Sequence, residues 1–340
     1  MALSSHKLPA VVAVELNTDV WLSVLDYIRM PSDLKSLCLT SKALRDLATP
    51  CLYSDVFVQV WHEEYHERFF RSIAAGGHAH LVHTRTLTIE DKPPLAESNS
   101  IVTSPLELGF CDGTPTPAVT KDNTISLIIP MFPHNKLRAF RFISSRQLSL
   151  EIYLRITKHQ ANIEHMMCPL DSDVRFSSPD IVFFHALRSL DLPLLSPEAL
   201  RHLVPMVIVM GKSLESLSLG YFPATRLPES SPGVFASVLE DLEKDSEVLL
   251  PRLKELHLKN FYLKNNLDSL LKILRFDTLK RLSLFHCSGA EHFFADLAPH
   301  VKGSVTALEH LAIIYSESQF HVPYESILAR ECFCNLLQSE

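Results

Sequence analysis

Apolar positions near the start of the chain recur at helical spacing in three runs with little chain between them. Val20, Val24, Tyr27 and Ile28 mark the face of a first helix, with Asn17 or Thr18 placed to cap it and Asp19 in its opening turn. Ser32, with Asp33 beside it, predicts the start of a second helix carrying Leu34, Leu37 and Leu39. The third is expected from about Ser41 through Leu44, Leu47 and Ala48, with Pro50 as its stop. Trp21, Leu22 and Leu25 fill faces of the first helix that Val20 and Val24 leave free. A segment of about forty residues cannot bury that much apolar surface. The surplus should meet another chain or the domain that follows.

Further along, the pattern changes to apolar-x-x-apolar-x-apolar. It appears as Leu137-Arg-Ala-Phe140-Arg-Phe142, Ile163-Glu-His-Met166-Met-Cys168 and Leu187-Arg-Ser-Leu190-Asp-Leu192. It returns as Leu214-Glu-Ser-Leu217-Ser-Leu219, Leu253-Lys-Glu-Leu256-His-Leu258, Leu279-Lys-Arg-Leu282-Ser-Leu284 and Leu308-Glu-His-Leu311-Ala-Ile313. First positions lie 26, 24, 27, 39, 26 and 29 residues apart, and a degenerate copy, Thr84-Arg-Thr-Leu87-Thr-Ile89, stands 53 residues before Leu137. The closing apolar-x-apolar predicts a strand with two side chains inward and one outward between them. The intervals read as helices: Ser196-Pro197-Glu198 leading into Leu200, Leu203 and Val204, then 266–275, then Gly289 to Pro299. Such periods with an L-x-x-L-x-L core are the signature of leucine-rich repeats. Each strand and helix needs its neighbours to cover its apolar face. The asparagine ladder of regular repeats is missing: the equivalent positions hold Ser145, Asp171, Leu195, Phe222, Phe261 and Cys287. Of these, only Cys287 suits the role.

Residues 15–56 resemble an F-box. The matching positions are Leu16, Asp19, Val20, Val24, Leu25, Tyr27, Ile28, Asp33, Leu34, Leu37, Ser41, Lys42, Leu44, Arg45, Leu47, Ala48, Pro50, Leu52 and Tyr53. The segment departs from the family in having Asn17 where proline usually follows the opening leucine. The repeats resemble the irregular leucine-rich repeats attached to F-boxes in many fungal proteins. The expected fold class is therefore a repeating α/β chain: a short lead (1–14), a three-helix F-box (15–56) and an irregular leucine-rich-repeat solenoid (57–340). Pro93, Pro94, Pro105, Pro115 and Pro117 predict a long mobile loop at 91–123, and a shorter insertion is expected from Phe222 to Pro232.

The resemblance implies a non-catalytic receptor of an SCF-type ubiquitin ligase. Its F-box would bind a Skp-type adaptor, and through it a cullin scaffold, while the repeats would hold a protein substrate. For adaptor contact the expected residues are Leu16, Leu22, Leu25, Leu34 and Leu37. For substrate they are the outward strand positions Arg141, Met167, Asp191, Ser218, His257, Ser283 and Ala312, with Lys259 and Phe285 beside them. A repeat scaffold with no ligase role is the competing reading.

Composition narrows the partners. A net charge of −7 with no basic run argues against nucleic acid. No apolar stretch has the length of a membrane span, and Leu8 to Val14 is too short for a signal peptide, so the cytoplasm or nucleus is expected. Seven scattered cysteines read as thiols, and Cys332-x-Cys334 has no second knuckle to complete a zinc site. His62-Glu63-Glu64-Tyr65-His66 matches H-E-x-x-H literally, which on a helix would place two imidazoles on one face with a general base, as in a zinc hydrolase. The extended motif fails, since Phe69 and Ser72 stand where its glycine and third histidine belong, although His78, His80 and His83 follow. No metal and no cofactor is expected. At the far end one helical stretch, Tyr324 to Leu337, follows the last strand. Either Ile327, Leu328, Phe333 and Leu336 cap the array, or the array is a shortened form of a longer one; the second is the expectation, with poor solubility as its consequence.

Overall fold

A computed structural model describes residues 17–61, 63–91, 118–144, 146–169, 184–195, 211–221, 250–263, 270, 275, 277–301 and 307–314. The chain divides into two compact units, the first ending at Asp55 and the second beginning at Val56.

The first unit is helical: α1 (Thr18–Leu25), α2 (Pro31–Thr40) and α3 (Lys42–Leu52). Asn17 caps α1 by accepting from the Asp19 N–H at 3.3 Å, and Ser41 caps α3 by accepting from Leu44 N–H at 3.2 Å. Two expectations are corrected. The second helix starts at Pro31, not after Ser32, because proline's fixed φ suits the first helical position, where no N–H is needed. Pro50 lies inside α3 and does not end it: one N–H bond is lost in the last turn, but Leu47, Cys51 and Leu52 on either side pack on the core. The core itself is small, made of Leu25, Leu34, Cys38 and Ala48. Arg45 Nε donates to the Cys38 carbonyl at 3.1 Å and ties α2 to α3.

The second unit is built on one sheet whose nine strands lie in the order of the sequence: β1 (Asp55–Gln59), β2 (Thr86–Glu90), β3 (Ala139–Ile143), β4 (His165–Met167), β5 (Ser189–Leu195), β6 (Ser216–Tyr221), β7 (Glu255–Lys259), β8 (Arg281–Phe285) and β9 (His310–Ile314). From β2 to β9 each neighbouring pair is parallel. Among the described residues, four crossovers hold helices: α4 (Glu63–Ala74), α5 (Ala118–Ile128), α6 (Leu150–His159) and α7 (Ala290–Val301). The arrangement is a repeating α/β one with a sequential parallel sheet.

The apolar phrase explains the packing position by position. Leu87, Phe140, Met166, Leu190, Leu217, Leu256, Leu282 and Leu311 are register partners from strand to strand. Ahead of them Leu137, Ile163, Leu187, Leu214, Leu253 and Leu279 are buried in the same core, joined by Ile125, Ile156, Phe293 and Leu297 from the helices. In the degenerate copy, Thr84 takes the leucine position, fully buried, and its Oγ1 has no hydrogen-bond partner among the described residues. Cys287 plays the part expected of it: its thiol donates to the Leu258 carbonyl at 3.4 Å, and burial pushes its pKa up to about 11.

The second position of each phrase forms a polar ladder. The Arg138 carbonyl accepts from both Glu164 N–H and His165 N–H, at 2.8 and 3.0 Å, and the Arg188, Glu215, Lys254 and Lys280 carbonyls each take two N–H donors from the next repeat in the same way. Their side chains add ion pairs from repeat to repeat, Arg138–Glu164 at 2.8 Å, Lys254–Glu215 at 2.7 Å and Lys280–Glu309 at 2.5 Å. Being exposed, these pairs are screened by solvent and contribute little to stability. Gln160 is a buried counterpart. Its Oε1 accepts from Leu137 N–H and its Nε2 donates to the Pro133 carbonyl, both at 3.1 Å.

The loop expected at 91–123 is corrected at its ends, while 92–117 lies outside the described residues. Residues 118–123 belong to α5, whose Ile125 and Ile128 are fully buried. Asp91, also buried, is ion-paired to Lys121 at 2.7 Å and to Arg146, and Arg146 pairs in turn with Asp122. Burial works against the Arg146 charge, but the hydrogen bonds it donates to the two carboxylates outweigh it and raise its pKa. The helix expected from Gly289 to Pro299 is α7, with Phe293, Phe294 and Leu297 buried. Those expected from Ser196 and across 266–275 lie outside the described residues except for Leu270 and Arg275, as do the insertion from Phe222 and the stretch Tyr324 to Leu337.

Candidate functional site

Two surfaces carry the residues singled out by sequence. The first is the outside of the helical unit. Of the five leucines expected to touch an adaptor, Leu22 is exposed (43%) and Leu37 half-buried. Leu25 and Leu34 are core, at 1% and 6% exposure, which corrects their assignment as contact residues. A three-helix unit this small has few side chains that reach its centre, and these two are its large ones. Leu16 lies outside the described residues. Once the core is filled, much apolar surface remains outside: Val20, Leu22 and Val24 on α1, Tyr27 (85%) and Met30 in the turn after it, and Leu39 (74%) on α2. Tyr27, Met30 and Leu39 were missed as surface residues, since helical periodicity alone places Tyr27 and Leu39 with the inward positions.

The second surface is the outward face of the sheet. Arg141, Met167, Asp191, Ser218, His257, Ser283 and Ala312 form one row across it, each the register partner of the next. Lys259 and Phe285 are partners in the row two residues further along the strands, followed by Ile314. Arg141 and Lys259 are exposed; Met167, Asp191, Ser218, His257, Phe285 and Ala312 are half-buried. Ser283 is buried and so is corrected as an exposed position: a short serine is shielded by its longer neighbours His257, Arg281 and Phe285. Between β5 and β6 the register shifts after Leu192, where Pro193 cannot supply a ladder N–H. Gly220 fits against that irregularity, because a Cβ there would collide with the Pro193 carbonyl.

The electrostatics of the row centre on Asp191. Partial burial raises the pKa of its carboxyl, and the Ser218 hydroxyl bond and the neighbouring His257 and Lys259 pull it back only in part. His257 Nε2 stands 4.0 Å from Glu255 Oε2. At the strand entry Glu215 behaves oppositely, its pKa lowered chiefly by the hydrogen bond from Lys254.

Among the described residues no three His, Cys, Asp or Glu side chains are placed to hold a metal ion. His62 of the H-E-x-x-H match lies outside those residues, while Glu63 begins α4 exposed and His66 is buried edge-on to Phe70, with ring centroids 6.4 Å apart. Among the described residues no helix is long and apolar enough to cross a membrane. No known family model matches the chain, and no curated protein is significantly similar to it.

Proposed function

We propose that this chain is the substrate receptor of an SCF-type cullin ubiquitin ligase. The helical unit docks on a Skp-type adaptor, and the sheet face of an irregular leucine-rich-repeat array holds a protein substrate. The supporting observation is the excess of exposed apolar side chains on a unit with a four-residue core: Val20, Leu22, Val24, Tyr27, Met30 and Leu39 face solvent. Exposed apolar side chains gathered on so small a unit are what a protein partner would cover. The sequence resemblance to an F-box names the partner.

The mechanism is proximity. A receptor that holds its substrate beside a charged ubiquitin-conjugating enzyme raises the effective concentration of the target lysine and needs no catalytic group of its own. The test is binding of the purified full chain to a Skp-type adaptor, comparing wild type with Leu22→Asp/Val24→Asp. These positions are exposed, so the variant should stay folded by circular dichroism while binding falls at least ten-fold. Absence of wild-type binding by a folded chain would leave a repeat scaffold as the better description.

A further inference from the structure

The outward face of β2 to β9 has a charge arrangement that the net charge of −7 conceals. Its exposed ionisable side chains, Arg141, His165, Lys259, Arg281 and His310, are all basic. Its carboxylates, Glu90, Asp191 and Glu255, are half-buried beneath them. Of the exposed cations, Arg281 is spoken for by Glu255 at 3.3 Å, while Arg141 and Lys259 have no ion pair among the described residues. Asp191 sits between these two cations, beside its register partner Ser218 and next to the preceding pair Ser189 and Ser216.

The register turns this into a spacing. Arg141 is on β3 and Lys259 on β7, four strands apart in an uninterrupted parallel sheet. At about 4.8 Å per strand the two positions are roughly 20 Å apart. An extended peptide advances about 3.3 Å per residue, so about six residues span the gap. The segment passes over the Asp191 carboxylate midway, so an acid is disfavoured at the second and fourth residues after the first acid, which alternation turns toward the same face. Next to Lys259, Phe285 and the exposed Ile314 offer an apolar step.

We propose that this face binds an extended protein segment bearing two acidic side chains about six residues apart, one on Arg141 and one on Lys259, with non-acidic residues between them and an apolar residue after the acid at Lys259. The proposal rests on the substrate-receptor reading above and specifies its substrate class. It predicts selectivity that a generally basic surface would lack, since acids packed more closely would bring one over Asp191.

The test is selection of a random peptide library, displayed on phage, against the full chain and against Arg141→Glu/Lys259→Glu. Both positions are exposed, and folding of the variant is checked by circular dichroism; Arg141→Lys/Lys259→Arg keeps the charges as a second control. The expected result is enrichment of peptides with acid pairs five to seven residues apart on the wild type and the conservative variant. Recovery should fall at least ten-fold on the reversed variant. A selected peptide should bind more weakly as salt is raised, and a single-stranded oligonucleotide should not displace it. No enrichment, enrichment without the spacing, equal recovery on the reversed variant, or displacement by the oligonucleotide would each overturn the proposal. Adaptor binding is measured separately on the same proteins, so loss of the peptide result with adaptor binding intact refutes the substrate class and leaves the adaptor reading standing.

Discussion

The helical unit and the sheet unit spend their apolar residues differently. The sheet places its large apolar side chains in register and buries nearly all of them, from Leu87 to Leu284. The helical unit closes on four residues and leaves Tyr27, Met30 and Leu39 in solvent. One satisfies itself by stacking each repeat on the next; the other presents what it cannot bury. Polar groups differ in the same sense. The sheet carries its charges in a repeated column where strand entry and ion pairing coincide, whereas in the helical unit Asn17 and Ser41 cap helices and the other hydroxyls mostly donate to nearby backbone carbonyls.

Four substitutions would break or sharpen this contrast. The largest effect is expected from Leu34→Ala, which removes a substantial part of a four-residue core. A loss of about 2–5 kcal/mol is enough to open the whole unit. Leu282→Ala in β8 should cost a similar amount but open mainly neighbouring repeats, because each contacts only the next. Hydrogen exchange read segment by segment separates the outcomes, and a uniform loss of protection across the sheet would contradict the stacking argument.

A smaller effect, of opposite sign, is expected at the weakest repeat. Thr84→Val replaces a buried hydroxyl that lacks a partner among the described residues with a methyl group of similar shape. Stability should rise by about 1 kcal/mol, measured as a shift of the urea midpoint at constant slope. A fall would mean that the hydroxyl is satisfied.

The smallest concerns Asp191. Its pKa is higher in the folded chain than its ordinary value, so the folded state favours the protonated acid. The charged form therefore costs stability above the folded pKa, and the cost disappears as pH falls below the ordinary carboxylate value. Asp191→Asn should be slightly more stable than wild type at neutral pH, with the difference fading in acid. Thermal melts at pH 7 and pH 3 test it, and an advantage that grows in acid would reverse the assignment of burial as the dominant cause.

Most of the array was legible because its period repeats. Seven full phrases and one degenerate copy, read from the spacing of apolar positions alone, match the strands β2 to β9. The outward row from Arg141 to Ala312 followed from strand alternation. The charged second position was equally visible as Arg138, Glu164, Arg188, Glu215, Lys254, Lys280 and Glu309, but periodicity of apolar residues gives no reason to inspect it. The helical unit was legible only as three helices. Whether Leu22 or Leu25 faces the centre depends on how α1 packs against α2 and α3, and an almost uniformly apolar helix does not declare its inner face.

By itself, then, the chain determined which residues form strands, which of their side chains alternate inward, and where Asn17 and Ser41 begin helices, because these depend on neighbours a few positions away. Only the tertiary structure decided that Leu25 and Leu34 are core, that Ser283 is shielded, that Asp91 and Arg146 pair across a long insertion, and that Arg141 and Lys259 stand on one face with Asp191 between them. Each of these depends on side chains far apart in sequence, and the distances between them exist only once the strands are in register.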